Sequence, residues 1–358
     1  MHRTKRFGAT LLTAGLAILA LRGMAAAGET HGPNGEAATP ASALTLGAAE
    51  VAKVKSGNYS VALLWHTSSD FTNAVTAGAE DEFARLGVAV VATTDAAFDA
   101  AKQRNDVETV MAKKPNVILT LPLDSVSAAA AFRPAKEARV KLVFLSNVPA
   151  GYKWGQDFVA VVTDDLFQMG KQAADVLAKS IGGKGKVGYI FHDATHYVTN
   201  QRDQAFKTTI EKDYPNIKIA AQQGIVDPSR AEEAALAMLL KTPDLDGIYV
   251  TWAEPAEGVL SVLRNAGNKH TKIVTLDLSE PIALDMVKNG NVVGIVADEA
   301  YALGRAMADA GAYGLLGKPA PAFLVVPALT ITKANVVDGW QISLHRAAPQ
   351  SVLDAVKL

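Results

Sequence analysis

The sequence predicts an α/β protein made of two similar, doubly wound parallel-sheet lobes joined by a multi-strand hinge. Three observations predict it. Short β-branched runs alternate with longer helical patterns from Ser60 onward, an order that yields parallel strands covered by helices on both faces. The alternation restarts after FVAVVT (158–163), giving a second series much like the first. The chain has 358 residues, enough for two domains of ordinary size.

The first series runs SVALLW (60–65), helix 72–86, VAVVAT (88–93), helix 99–113, NVILTL (116–121), helix 125–138, KLVFLS (141–146) and a loop. The second opens with helix 166–180 and KVGYIF (186–191), helix 198–213, IKIAAQQGIV (217–226) and helix 229–240. It continues with DGIYVT (246–251), helix 256–266, KIVTLD (272–277), helix 281–289, VVGIVA (292–297) and helix 301–316. Crossovers between parallel strands are right-handed, which closes each series into a sheet. Gly182 and Gly183 end a helix, and Asp227 with Pro228 begins one. The Gly/Lys run there is no phosphate loop, because Lys186 is followed by Val187 and the run precedes a strand.

Upstream, Arg3, Lys5 and Arg6 precede an apolar run from Ala9 to Leu21 and small residues around Ala25 and Ala27. That layout is a secretory signal peptide cleaved near Ala27, and it implies a periplasmic protein. The apolar run is shorter than the roughly 20 residues of a membrane-spanning helix. Residues 28–57 are polar and Ala/Gly/Pro-rich and read as a flexible N-terminal arm. Lys+Arg 35 against Asp+Glu 36 leaves a net charge of -1, with no electrostatic footprint for nucleic acid or an acidic membrane. The absence of cysteine is compatible with export, since a core of this size needs no disulfide.

Ligands of open α/β sheets bind beyond the carboxyl ends of the strands. Those ends carry Trp65, His66, Asp70 and Phe71, then Ser146 and Asn147, in the first series, and Trp252, Glu254, Asp277 and Asp298 in the second. Carboxylates accept hydrogen bonds from vicinal hydroxyls, a guanidinium donates to them in pairs, and aromatic rings cover the C–H face of a sugar. The pattern points to a polyhydroxylated ligand, a carbohydrate or polyol, and its acidity disfavours a strongly anionic one. His66 is open between ligand contact and core, Trp252 between cleft wall and core, and Glu254 between cleft and surface. His192 and His196 have helical metal spacing but fall in a loop without the glutamate of a zinc-hydrolase motif. No metal site, cofactor fingerprint or nucleophile motif is present.

From about Tyr59 to Thr332 the chain resembles the periplasmic sugar-binding proteins of ABC importers, in the ribose-binding-like branch of the type I periplasmic binding proteins. NQRDQAFKTTI resembles the family's Arg-containing helix start, which makes Arg202 the sugar-clamping arginine. VTLDLSEPIAL is similar to the strand ending in a sugar-binding aspartate, Asp277, although an Asp after a strand also serves as a helix N-cap. VVGIVADEAYALG resembles the late hinge segment and places Asp298 at a hydroxyl-binding position, and VVTDDLFQMGKQAADVL resembles the first crossover between lobes. Three departures argue against transferring ribose specificity: Ser146-Asn147 where the family often has Asp-Arg, Trp252-Ala253-Glu254 where it has Asn-Asp, and Phe71-Thr72 where it has Phe-Phe.

The resemblance implies lobe 1 at 58–163 plus 299–327, lobe 2 at 164–298 plus 328–345, and a C-terminal tail at 346–358. It also implies a monomer that captures ligand by hinge closure and delivers it to a membrane permease. A receptor feeding a membrane sensor and a glycoside hydrolase using Asp277 and Asp298 are the alternative readings. A gene repressor would carry a helix-turn-helix where this chain has an export signal.

Overall fold

The computed structural model describes residues 30–357; the expected signal peptide and its cleavage site lie outside them. The chain enters through β1 (Thr39–Pro40), α1 (Ala48–Ser56), β2 (Ser60–Trp65), α2 (Asp70–Leu86), β3 (Ala89–Asp95), α3 (Ala100–Met111) and β4 (Val117–Thr120). It continues with α4 (Ser125–Ala131), α5 (Arg133–Glu137), β5 (Lys141–Leu145) and β6 (Ala160–Asp164). A second body follows with α6 (Leu166–Ser180), β7 (Gly185–His192), α7 (Tyr197–Asp213), β8 (Ile217–Ile225), α8 (Ala231–Lys241) and β9 (Gly247–Val250). Then come α9 (Ala253–Asn265), β10 (Lys272–Leu276), α10 (Glu280–Val287) and β11 (Val292–Ala297). The chain returns for α11 (Ala300–Leu316) and β12 (Phe323–Val326), and crosses once more to β13 (Leu329–Ile331), α12 (Val336–Leu344) and α13 (Gln350–Val356).

Two sheets result, ordered β1-β12-β6-β5-β4-β2-β3 and β13-β11-β10-β9-β7-β8, so the two-lobed α/β architecture expected of the sequence is present. All pairings are parallel except β11 with β13. The central strands are buried on both faces, as Val61–Trp65 and Val117–Thr120 show. That burial explains their unbroken apolar runs. The chain passes between sheets after Asp164, between Ala297 and Ala300, and between Val326 and Leu329.

Glycines set two close helix pairs. A Cβ on Gly78 would collide with the carbonyl oxygen of Tyr301, which locks α2 to α11. A Cβ on Gly170 would collide with the carbonyl oxygen of Arg202, so α6 draws α7 in at the turn carrying that arginine. The continuous helix expected at 125–138 is instead α4 and α5, with Pro134 in the first turn of the second. Proline cannot donate the helical bond and its ring crowds the preceding turn.

Residues 30–57 are not the loose arm that their composition suggests. Thr30 is 1% exposed, donates to the Asp165 carboxylate and accepts from Phe167 N at 2.9 Å. The carbonyl of His31 accepts from Tyr197 at 2.6 Å, β1 pairs with β12, and Val54 is fully buried. A few anchors in a polar stretch thus form a strap from the second lobe's helices to the edge of the first sheet. The C-terminal tail is also docked: α13 lies on α10 with Val352 fully buried. Among the described residues no helix is long and apolar enough to cross a membrane.

Candidate functional site

Arg202 lies one turn into α7 and is 4% exposed. Its Nη1 donates to Asp277 Oδ1 at 2.9 Å and stands 4.0 Å from Asp298 Oδ1, while Nη2 donates to the Thr251 carbonyl at 3.4 Å. Thr251, Asp277 and Asp298 follow β9, β10 and β11, three neighbouring strands. One guanidinium therefore clips three strand ends, which a planar fork of donors can do and a single ammonium cannot. Burial pulls the Arg202 pKa down, but the Asp277 and Asp298 carboxylates outweigh it and hold the group charged. Its Nε has no partner.

The supports of this clip are themselves buried. Asp203 is 2% exposed and accepts from Tyr249 Oη at 2.7 Å and from His192 N at 2.8 Å, which ties α7 to β9 and β7. Asp277 adopts φ 64, in the left-handed region, and turns its carboxylate to Arg202; Ser279, not Asp277, is the N-cap of α10. Asp298 meets a residue the sequence reading placed only at the crossover, Asp164. Each carboxyl shifts the other's titration. Burial, set against the Asp298 contact and Arg202, raises Asp164 to about 7. Burial and then the Asp164 and Asp277 charges push Asp298 well above the carboxylate range. Two acids in this setting hold a proton between them.

Trp252 is the half-buried N-cap residue of α9, edge-on to His192 with ring centroids 5.3 Å apart. His192 Nδ1 lies 2.7 Å from Thr199 Oγ1, and His196 is held near pKa 4 by burial, His192 and Arg202. Glu254 is exposed in the first turn of α9, away from these contacts.

The first lobe gives a different distribution from the one expected. His66 follows β2 with its Nδ1 buried and partnerless; burial drives its pKa to about 4, with Asp95 opposing and His196 adding to the fall. The His196 that acts on it belongs to the second lobe. Phe98, absent from the sequence reading, stands edge-on to His66 at 5.2 Å and is 69% exposed. Its loop is folded by two successive positive-φ residues, Ala97 and Phe98, with Ala97 N on Asp95 Oδ1 at 2.7 Å. A polar TTDAAFD stretch gave only the Thr and Asp as signals.

Trp65 is not a cleft wall. It is 3% exposed, and its Nε1 donates to Thr76 Oγ1 at 2.7 Å, so it belongs to the lobe core. Phe71 is half-buried against the same core. Asp70 pairs with Arg346 of the C-terminal segment. Ser146, 5% exposed, shares a 2.8 Å hydrogen bond with Thr163, and Asn147 donates to the Pro122 carbonyl at 2.9 Å. These polar groups close loops within the lobe. The structure thus gathers Arg202, Asp277, Asp298 and Trp252, with His66 opposite, and disperses the rest.

A model of the periplasmic binding protein domain matches residues 61–319, most of the chain. The chain belongs to the periplasmic binding protein family. Its curated relatives include the D-allose-binding periplasmic protein of Escherichia coli, 27% identical over 271 residues that cover 72% of this chain and 86% of that protein. Among solved structures, a solute-binding protein of an ABC transporter from Agrobacterium vitis, bound with α-D-tagatopyranose, superposes with a TM-score of 0.70 at 23% identity. That match covers 81% of this chain and all of the other. An arabinose-binding protein from Geobacillus stearothermophilus superposes with the same TM-score of 0.70 at 22% identity, over 78% of this chain and 98% of that one. At these identities the structural likenesses establish the periplasmic binding protein fold.

Proposed function

We propose that this protein captures a sugar or polyol between its lobes in the periplasm and presents it to the permease of an ABC importer. The observation that carries the reading is the Arg202 clip. A charged fork and two carboxylates are fixed at the ends of β9, β10 and β11, with Trp252 at the end of β9 against His192, while the first lobe offers His66 and Phe98 at its strand ends. Arg202 and Asp277 supply donor and acceptor for adjacent hydroxyls, while Phe98 and Trp252 cover C–H faces. The relatives named for D-allose and arabinose support the ligand class. Export with cleavage near Ala27 and action as a monomer complete the reading.

Ligand spanning both lobes favours the closed form only through contacts it makes there and not in the open form. The two lobes are connected by three short passages, which makes a hinge the natural mode of motion. Hydrolysis is disfavoured by geometry. A glycosidase needs a carboxylate free to attack or to activate water, whereas Asp277 Oδ1 is engaged by Arg202 at 2.9 Å.

Calorimetric titration of the purified protein with a panel of pentoses, hexoses and polyols tests the reading. One-to-one saturation without product formation is expected. Turnover, or no binding anywhere in the panel, overturns it.

A further inference from the structure

The Arg202 cluster holds more carboxyl groups than one guanidinium can balance. Asp277 and Asp298 flank Arg202 and Asp164 feels its charge, while Asp203, next to Arg202 on the same helix, is satisfied by Tyr249 and His192 N. Asp164 is 5% exposed, and its Oδ1 has no hydrogen-bond partner. The Asp298 side chain is 14% exposed and that of Asp277 32%. Glu299, partly buried beside them, adds a further acid, and His192 and His196 are held toward their neutral forms, so neither supplies the missing positive charge. Ligand entry removes more water, and an uncompensated buried charge costs several kcal/mol. A hydroxyl donates a hydrogen bond but brings no charge. A metal ion is a poor occupant: a guanidinium sits at the centre, and no metal-holding group of three acids or histidines occurs among the described residues.

We propose that the ligand carries a primary ammonium group beside its hydroxyls, and that this cation binds at the Asp298 carboxylate, next to the buried and partnerless Asp164 oxygen. The inference rests on the carbohydrate reading above and narrows it to an amino sugar or aminated polyol. Arg202 and Asp277 retain the hydroxyls, and the ammonium enters on the exposed side of the hinge pair. Its charge favours the ionised pair, so binding releases a proton. A neutral sugar leaves the proton in place.

Pairs differing only in amine for hydroxyl test this: D-glucosamine against D-glucose, D-galactosamine against D-galactose, and D-allosamine against D-allose. Titrations run at pH 5.5 and 7.0 in buffers of different ionisation enthalpy. At least one amine is expected to bind about tenfold or more tighter than its partner, the range of a charged hydrogen bond. Its affinity should rise from pH 5.5 to 7.0 with protons released to the buffer. D298N, with its melting curve recorded as a control on folding, should lose the preference. A hydroxyl partner that binds equally or more tightly, or a preference that survives in folded D298N, overturns the inference and leaves sugar capture standing. Proton uptake by wild type on amine binding does the same without any variant. If no member of the six binds while a neutral sugar or polyol of the wider panel does, the inference fails and sugar capture stands; if nothing in either set binds, both fail.

Discussion

Arg202 concentrates the site's chemistry in one side chain, and its geometry sets what each substitution does. Lysine keeps the charge but cannot reach Asp277 and the Thr251 carbonyl together. R202K should therefore keep its fold while binding of the cognate sugar, measured by calorimetry, falls at least about tenfold, the value of one charged hydrogen bond. R202A is more damaging, because it leaves Asp277, Asp298 and Asp164 facing one another. A loss of about 3–5 kcal/mol in denaturant unfolding is expected, as for a broken buried ion pair. D277N keeps shape and removes charge, and a loss of about 1.5–3 kcal/mol in binding is expected. Unchanged affinity in D277N would confine Asp277 to orienting Arg202.

Among elements, α7 is the one whose placement decides the site, and it is placed by a glycine on its neighbour. G170A inserts a methyl group against the backbone at Arg202 and should cost about 1–3 kcal/mol of stability, as overpacking does. Ligand binding should weaken with it even though residue 170 touches no ligand, a coupling read by comparing melting midpoint and titration of the same preparation. Much at this scale was legible in the sequence. VVGIVA is β11 residue for residue, the strand-end rule led to Asp277 and Asp298, and the resemblance of NQRDQAFKTTI led to Arg202, which lies beside both. The rule fails where strand-end polarity is consumed locally: Ser146, Asn147 and Asp70 bond within their own surroundings, and Trp65 turns inward to Thr76. Phe98 escaped notice and Asp164 was expected only at the crossover, because exposure beside His66 and proximity to Asp298 arise only from tertiary packing. The strap at 30–57 escaped for the same reason, as composition cannot show that Thr30 meets Asp165.

At the scale of the molecule, two sets of buried groups oppose each other across the acidic range. His66 and His196 titrate near 4 in the folded chain, below the ordinary 6.5, so the unfolded chain binds protons first. Their contribution to stability is present above 6.5 and is lost as pH falls through 4. Asp164, raised to about 7, behaves in reverse: its contribution is present below the ordinary 3.8 and is lost as pH rises through 7. The melting temperature of wild type should therefore change little between pH 4 and 7. D298N removes the Asp298 carboxyl, which burial holds well above the carboxylate range and whose contribution is likewise lost as pH rises, so the variant's melting temperature should climb with pH over the same interval. A wild-type profile as steep as that of the variant would show that the hinge acids are not coupled to folding.

The last edge strand carries a consequence for biogenesis. β13 completes the second sheet, beside β11, only after the chain has been back through α11 and β12. Neither half of the molecule is thus an uninterrupted stretch of gene. A polypeptide stalled at Val326 would own twelve of the thirteen strands formed by the described residues and still leave β11 with a bare margin, open to strand addition by a stranger. The two halves have to mature together, and only once synthesis is nearly finished.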